Sequence, residues 1–164
     1  MKLHPKFLGS AALVLGLTGA VRGSHEAATV SGVCGLITRQ EAATALGAPV
    51  PAGTEKAMDV PMPGGLIKWQ ACFYGTEVSV GRYELGSGAP QLFGKYRQSL
   101  ASQPDLTGYQ NVNGIGDEAF AAKGQLAVRK GQTGLIIDVG QARGGGAKEL
   151  QAEKTLAALA VGRL

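Results

Sequence analysis

The stretch NVNGIGDEAF carries the glycine spacing of a dinucleotide-binding site. Gly114, Gly116 and Ala119 match the pattern G-x-G-x-x-[GA], and Asp138 closes the apolar run LIID at about the distance of a ribose-binding acid. Such a site needs a helix that begins at the second glycine, because the amides of its first turn bind the pyrophosphate. Gly124 follows too soon for a helix of useful length. The stretch is therefore predicted to form a turn, and no nucleotide cofactor is expected.

The residues that metal binding or nucleophilic catalysis would need do not occur together. If Gly114 occupied the invariant glycine position of an EF-hand loop, Tyr109 and Phe120 would fall at its first and last ligand positions. The two histidines, His4 and His25, both lie near the N-terminus. A serine or cysteine nucleophile therefore has no base, and a structural zinc ion lacks its four ligands. We predict no metal site and no catalytic residue.

Asp117 and Glu118 form an acidic pair that could support acid–base chemistry. Adjacent residues of a strand point to opposite faces, so these two carboxylates cannot flank one bond without a bulge. We interpret them as solvated acids of the turn. A catalytic acidic pair would make the protein a small carboxylate-dependent hydrolase, which is the alternative to a non-enzymatic function.

The N-terminal segment has the pattern of a secretory signal peptide. A basic start is followed by the uncharged run FLGSAALVLGLTGAV (7–21), and small residues allow cleavage after Ala20 or Gly23. The alternative is an uncleaved anchor, but the run has 15 residues and a membrane span needs about 20. We therefore predict that residues 1–23 are a signal peptide and that no stable membrane span remains after cleavage.

Removal of this segment changes the charge of the protein. The full chain has 16 Lys and Arg against 12 Asp and Glu, and the segment contains Lys2, Lys6, Arg22 and no acid. The remaining 13 basic and 12 acidic residues give a formal charge of +1. A nucleic acid or an anionic membrane surface is therefore not expected as a partner.

Cys34 and Cys72 are the only cysteines of the chain. An even number of cysteines behind an export signal predicts a disulfide, and two buried free thiols are the alternative. A bond across this loop would stabilise the fold by about 4 kcal/mol in the chain-entropy model. Lipidation of Cys34 is not expected, because it lies 13 residues beyond Val21, where the hydrophobic run ends.

The remaining patterns predict an α+β domain with three helices and about five strands. Thr38 and Glu41 form a T-x-x-E capping box and Gly47 supplies a left-handed stop, so one helix is predicted over residues 39–46. Alternating and helical apolar spacing predicts the other elements. The predicted strands are 66–74, 77–85, 117–123, 125–130 and 135–140, and the other helices are 89–103 and 147–161.

The predicted order is α-ββ-α-βββ-α, which implies an antiparallel sheet with the helices on one face. The proline-rich stretch 48–65 is predicted to be irregular, with a short edge strand at most near 56–60. Cys72 shares its strand face with lysine and glutamine, so the disulfide is expected on the less apolar side. Glu149 and Glu153 are expected on the solvated side of the last helix.

Several motifs stand out over roughly residues 33–162: CGLITRQEAATALG, WQACFY, VNGIGDEAF before LAVRKG and LIIDV, and a closing helix rich in Leu and Ala. Together they resemble a family of small exported bacterial proteins that are common in actinobacteria and are often lipoproteins. The chain is also similar in outline to extracellular sensor-like domains of some bacterial serine/threonine kinases. The resemblance implies a Cys34–Cys72 disulfide and an α+β fold, and it carries no catalytic residues. Unlike the lipoproteins, this chain has no cysteine at the signal boundary.

The expected organisation is a signal peptide (1–23), a flexible N-terminus (24–33) and one α+β domain (34–164). The expected function is that of a non-enzymatic cell-envelope domain for binding, sensing or an accessory role, with an envelope protein or a small ligand as its partner. A cleft with two facing carboxylates would favour the hydrolase instead, whereas an apolar groove would favour the binding domain.

Overall fold

The computed structural model describes residues 32–62, 65–103, 108–140 and 146–164. The predicted signal peptide and most of the predicted flexible N-terminus lie outside these ranges. Among the described residues, no helix is both long enough and apolar enough to cross a membrane.

Three α-helices and seven strands make up the described fold, together with short 3-10 turns at Val33–Gly35 and Gly86–Gly88. The helices are α1 (Arg39–Leu46), α2 (Ala89–Ala101) and α3 (Ala147–Val161). The strands are β1 (Thr54–Met62), β2 (Gly65–Tyr74), β3 (Val78–Glu84), β4 (Gln110–Val112), β5 (Glu118–Ala122), β6 (Gln125–Lys130) and β7 (Thr133–Val139).

The strands form a single antiparallel sheet in the order β1-β2-β3-β7-β6-β5-β4. The α+β class, the three helices and the antiparallel sheet are confirmed, but the prediction of about five strands is wrong. The two additional strands are the edges β1 and β4. β1 is exposed along most of its length, so it has no apolar alternation, and an edge strand tolerates Pro61. β4 is only three residues long and carries no readable pattern.

The helices cover both faces of the sheet, so their placement on one face is also corrected. Consecutive residues of β7 belong to different apolar layers: Ile137 packs with Leu156 of α3, whereas Ile136 packs against the layer that contains Phe93 of α2. Neighbouring strand residues point to opposite faces, so α2 lies on the face opposite α3. α1 shares the α3 layer through Ala42, which is fully buried.

Cys34 and Cys72 form a disulfide, which confirms the sequence prediction. The prediction that the disulfide lies on the less apolar side of the sheet is wrong, because Cys72 is fully buried in the apolar layer under α1 and α3. Lys68 and Gln70 share its face but are exposed, farther along β2. The pairing of β2 with β3 begins only at Trp69, so this end of β2 extends beyond the covered sheet.

Candidate functional site

The stretch NVNGIGDEAF contains a turn between β4 and β5, as predicted. No helix follows its glycines, since β5 begins at Glu118. Gly114 and Gly116 have φ angles of 82° and 62°, in the left-handed region that favours glycine. A Cβ on Gly116 would lie 2.5 Å from the carbonyl oxygen of Arg129. The second glycine is therefore needed both for its backbone angle and for the close approach of β6.

Asp117 and Glu118 do not point apart; both bind the guanidinium group of Arg129. Its Nη1 lies 3.1 Å from Asp117 Oδ2, and its Nη2 lies 2.9 Å from Glu118 Oε1. Asp117 precedes the strand, so the alternation rule does not apply to it. The amide of Gly131 donates to Asp117 Oδ2 over 2.8 Å, and this bond, followed by one from Lys130, lowers the pKa of Asp117. These acids tie the β4–β5 turn to the β6–β7 turn.

Glu149 and Glu153 line a cavity of about 270 Å³ between α3 and the ends of β5 and β6. The prediction that both are solvated is wrong for Glu153, which is 1% exposed. Glu153 falls on the same helical stripe as Leu156, Ala157 and Ala160, a spacing that the sequence already contained. The stripe is the signal by which this buried acid could have been found.

Both of these carboxylates accept hydrogen bonds from backbone amides. The amide of Val139 donates to Glu153 Oε1 over 3.3 Å, and the amide of Gly146 donates to Glu149 Oε2 over 2.9 Å. Burial raises the pKa of Glu153 to about 8; the Val139 bond opposes this shift, and the charges of Asp138 and Glu149 add to it. Glu153 therefore holds α3 to the end of β7, and Glu149 caps the start of α3.

Asp138 lies at the floor of a second cavity, of about 250 Å³, which we call the Asp138 pocket. The residue sits in β7 between two cross-strand neighbours, Ser79 of β3 and Gln125 of β6, and Phe73 of β2 lies beyond Ser79 in the same row. This row lies on the face of the sheet that α2 covers. The lining residues are Lys56, Phe73, Gly75, Thr76, Glu77, Val78, Ser79 and Asp138.

Asp138 is 97% buried, and only one of its two carboxylate oxygens has a hydrogen-bond partner among the described residues. Gln125 Nε2 donates to its Oδ2 over 3.4 Å, whereas Oδ1 is buried with no hydrogen-bond partner in the part of the chain that the structure describes. Burial raises the pKa of Asp138, and the charge of Glu77 adds to that effect. Most buried polar atoms in proteins are hydrogen-bonded, so this oxygen calls for an explanation.

Trp69 Nε1 and Tyr83 Oη are also buried without a hydrogen-bond partner among the described residues, but their surroundings differ. Both side chains belong to the apolar layer under α2, and neither residue lines the Asp138 pocket. A Cβ on Gly81 would meet the Trp69 indole, and one on Gly134 would meet the Tyr83 ring. These two rings therefore pack directly against glycine backbone.

The mouth of the pocket combines a cation with an aromatic ring. Lys56 Nζ lies 5.3 Å from the centre of the Phe73 ring, and Lys56 itself is exposed. The Gly140 amide donates to the carbonyl of Glu77 over 2.6 Å, which holds the β2–β3 turn against the end of β7. The pocket therefore has a buried acid at its floor and an exposed base at its rim.

Within the described ranges, no group of three or more His, Cys, Asp or Glu residues has a geometry that could hold a metal ion. The sequence predicted no site at Phe73, Ser79 or Lys56. The local signal for this site is Asp138, a charged residue that closes an apolar strand run. Its spacing alone suggests only the ribose-binding acid of a dinucleotide site.

The fold and the pocket define an α+β domain with an antiparallel sheet that is covered on both faces, and with the Asp138 carboxylate in a cavity on one of them. No protein-family model, curated protein or solved structure matches the chain.

Proposed function

We propose that this protein is a non-enzymatic, exported domain of the cell envelope that binds a small ligand in the Asp138 pocket. One observation carries the proposal: Asp138 lines a cavity, is 97% buried, and has a carboxylate oxygen without a hydrogen-bond partner among the described residues. Leaving such an oxygen unpaired costs about 1–3 kcal/mol or more, because the group has lost its water. A ligand that donates to this oxygen would recover that free energy.

The size and composition of the pocket support a small ligand. Its volume of about 250 Å³ lies just below the range of about 300–1,000 Å³ that is usual for drug-sized molecules. Ligand sites commonly combine apolar walls with a few polar groups that fix orientation. Phe73 provides such a wall here, and Ser79 and Asp138 provide the polar groups.

Export is supported by the disulfide and by the signal-like N-terminus. Disulfides persist mainly in oxidising compartments, so a Cys34–Cys72 bond suits the outside of the inner membrane. Such a location would suit a ligand-binding or sensing role in the envelope. The intact mass of the exported protein tests it, since cleavage would remove residues 1–20 or 1–23.

A carboxylate-dependent hydrolase is less well supported. Glu149 and Glu153 line one cavity, and a carboxyl group with a pKa of about 8 could act as a general acid at neutral pH. Both side chains, however, already accept hydrogen bonds from backbone amides: Glu153 from Val139, which joins α3 to β7, and Glu149 from Gly146, which caps α3. We therefore favour a structural role for this pair.

The proposed site can be tested without knowing the ligand. Residues that serve binding are commonly not optimal for stability. We expect Asp138→Asn to raise the melting temperature of the free domain by about 2–4 °C, because it removes a buried charge. The matched control, Asp117→Asn, should lower the melting temperature. Both Asp117 oxygens already bind partners, namely the Gly131 amide, Arg129 and Lys130, and the substitution weakens these interactions. If Asp138→Asn destabilises the domain as much as the control, Asp138 is structural and the proposed site is wrong.

A further inference from the structure

The groups that line the Asp138 pocket are arranged by charge along its depth. Asp138, at the floor, is almost fully buried, and the carboxylate side chain of Glu77 also lines the cavity. The single basic side chain of the lining, Lys56, is exposed at the rim. The pocket thus places its negative groups inside and its positive group at the mouth.

The inner part of the Asp138 pocket is suited to bind an ammonium group. It carries three N–H donors, one of which could serve the unpartnered Oδ1 of Asp138. The charge of an ammonium ion would also offset the cost of burying the charged form of Asp138, the main reason that its pKa is raised. A carboxylate or phosphate placed there would meet the like charge of Asp138 instead.

The aromatic ring of the pocket positions its basic side chain. The ammonium of Lys56 lies 5.3 Å from the centre of the Phe73 ring, a distance at which a cation is attracted to the ring face. The rim position of Lys56, in turn, repels a simple amine and attracts an anionic group.

Building on the proposed function, we infer that the ligand is a small zwitterion, with an ammonium group at Asp138 and a carboxylate at Lys56. The volume of about 250 Å³ limits it to a molecule of amino-acid size. The hydroxyl of Ser79, directly opposite Asp138 across the β3–β7 pair, supplies a further acceptor for the ammonium group.

The test is a series of ω-amino acids from glycine to 5-aminopentanoate, compared with butylamine and butanoate. Affinities are measured by NMR titration of the oxidised domain at up to 50 mM ligand. We expect at least one amino acid of the series to bind with millimolar affinity, butylamine to bind more weakly, and butanoate not to bind. Asp138→Asn should weaken amino-acid binding at least about tenfold, as loss of a buried charge partner does. Ser79→Leu, which fills the pocket, should abolish binding if Asp138→Asn fails to fold.

Lys56→Gln distinguishes a zwitterion from a simple amine. It should weaken amino-acid binding by about two- to fivefold, as expected for an exposed ion pair, and it should not weaken butylamine binding. Lys68→Gln is the matched control, because Lys68 is an exposed lysine on the opposite face of β2. If Lys56→Gln leaves amino-acid binding unchanged, or if butanoate binds as well as the amino acids, this inference is wrong.

The same series separates failure of the ligand class from failure of the proposed function. If no compound binds at 50 mM, the zwitterion inference is overturned. The proposed binding site then still depends on the stability test of Asp138→Asn, which needs no ligand. If that test also fails, both proposals are wrong.

Discussion

At the residue scale, the two glycines of the turn before β5 differ in what surrounds them. Both have positive φ, so alanine at either position costs about 1–2 kcal/mol in backbone conformation. A Cβ on Gly114 would meet nothing within 4 Å, whereas one on Gly116 would lie 2.5 Å from the Arg129 carbonyl and 2.6 Å from Val128 Cγ1. The Asp117 amide also donates to that carbonyl over 2.8 Å, so the strand cannot simply move away.

We therefore expect Gly116→Ala to destabilise the domain at least about twice as much as Gly114→Ala. Urea unfolding of the two variants gives the difference directly, and each variant is the other's control. Equal losses of stability would mean that the approach of β6 to the turn is looser than the structure indicates.

Glu153 gives a pH dependence of stability that a substitution can test, beside a contribution of the same sign from Asp138, whose pKa burial also raises. Its pKa is about 8 in the folded domain and about 4.5 in the unfolded chain, so the folded state retains a proton that the unfolded state releases between these values. Stability should therefore fall as the pH rises from 4.5 through 8. With Glu153 1% exposed, the loss is roughly 2–5 kcal/mol.

Glu153→Gln should remove most of this slope, because an amide keeps the oxygen that Val139 needs and does not ionise. Unfolding free energies at pH 5 and pH 8.5 measure the slope. Glu149→Gln is the control and should retain it, since Glu149 is only partly buried and caps α3. A steep slope that persists in Glu153→Gln would assign the titration to another group.

At the scale of elements, α1 is joined to the C-terminal residues by one arginine. Arg163 donates from Nη1 to Glu41 Oε2 over 2.8 Å and from Nη2 to Oε1 over 2.6 Å, and Nη1 also donates to the Leu36 carbonyl over 2.9 Å. The Thr38 amide donates to the same carboxylate over 2.8 Å and completes the capping box. The Arg163 bond is the main reason that the pKa of Glu41 falls to about 2.

Because the pKa of Glu41 is lowered from 4.5 to about 2, its contribution to stability is complete above pH 4.5 and is lost as the pH falls through 2. Arg163→Met should lower stability by about 1–2 kcal/mol at pH 7 and flatten the acid limb of the stability curve. Arg82→Met is the control, because its pair with Glu84 is 3.7 Å long and solvent-exposed, and such pairs contribute little. Equal effects of the two substitutions would contradict the special role of Arg163.

The elements that could be predicted are those that local residues define. Thr38, Glu41 and Gly47 gave both ends of α1, because capping depends on residues only a few positions apart. β1 and the two-sided placement of the helices depend on pairing and packing across the chain, which no local pattern contains. The Asp138 pocket is similar: its acid is visible at the end of LIID, but Phe73 and Ser79 reach it only through the β2–β3–β7 register.

At the scale of the whole molecule, the disulfide fastens the N-terminal segment to β2, the second strand of the sheet. It closes a loop with a sequence separation of 38 residues, and it lies in the larger apolar layer beside α1 and α3. The chain around it is closely packed: a Cβ on Gly53 would lie 2.5 Å from Cys72 Sγ and 3.0 Å from Cys34 Sγ. The Cys34 amide donates to Glu55 Oε1 over 2.9 Å, and the Tyr74 hydroxyl donates to the carbonyls of Cys34 and Ile37.

These hydrogen bonds do not require the sulfur–sulfur bond. The contributions of the disulfide and of the hydrogen bonds to stability can therefore be measured separately. Cys34→Ala combined with Cys72→Ala should cost about 2–5 kcal/mol, as is usual for a disulfide in a small secreted domain. Glu55→Gln, which perturbs only the acceptor for the Cys34 amide, should cost no more than about 1 kcal/mol. Unfolding by urea measures both variants, and alkylation of the native wild type without reductant should label neither cysteine. Full labelling, or a double variant as stable as the wild type, would contradict a disulfide that holds the N-terminal segment on the sheet.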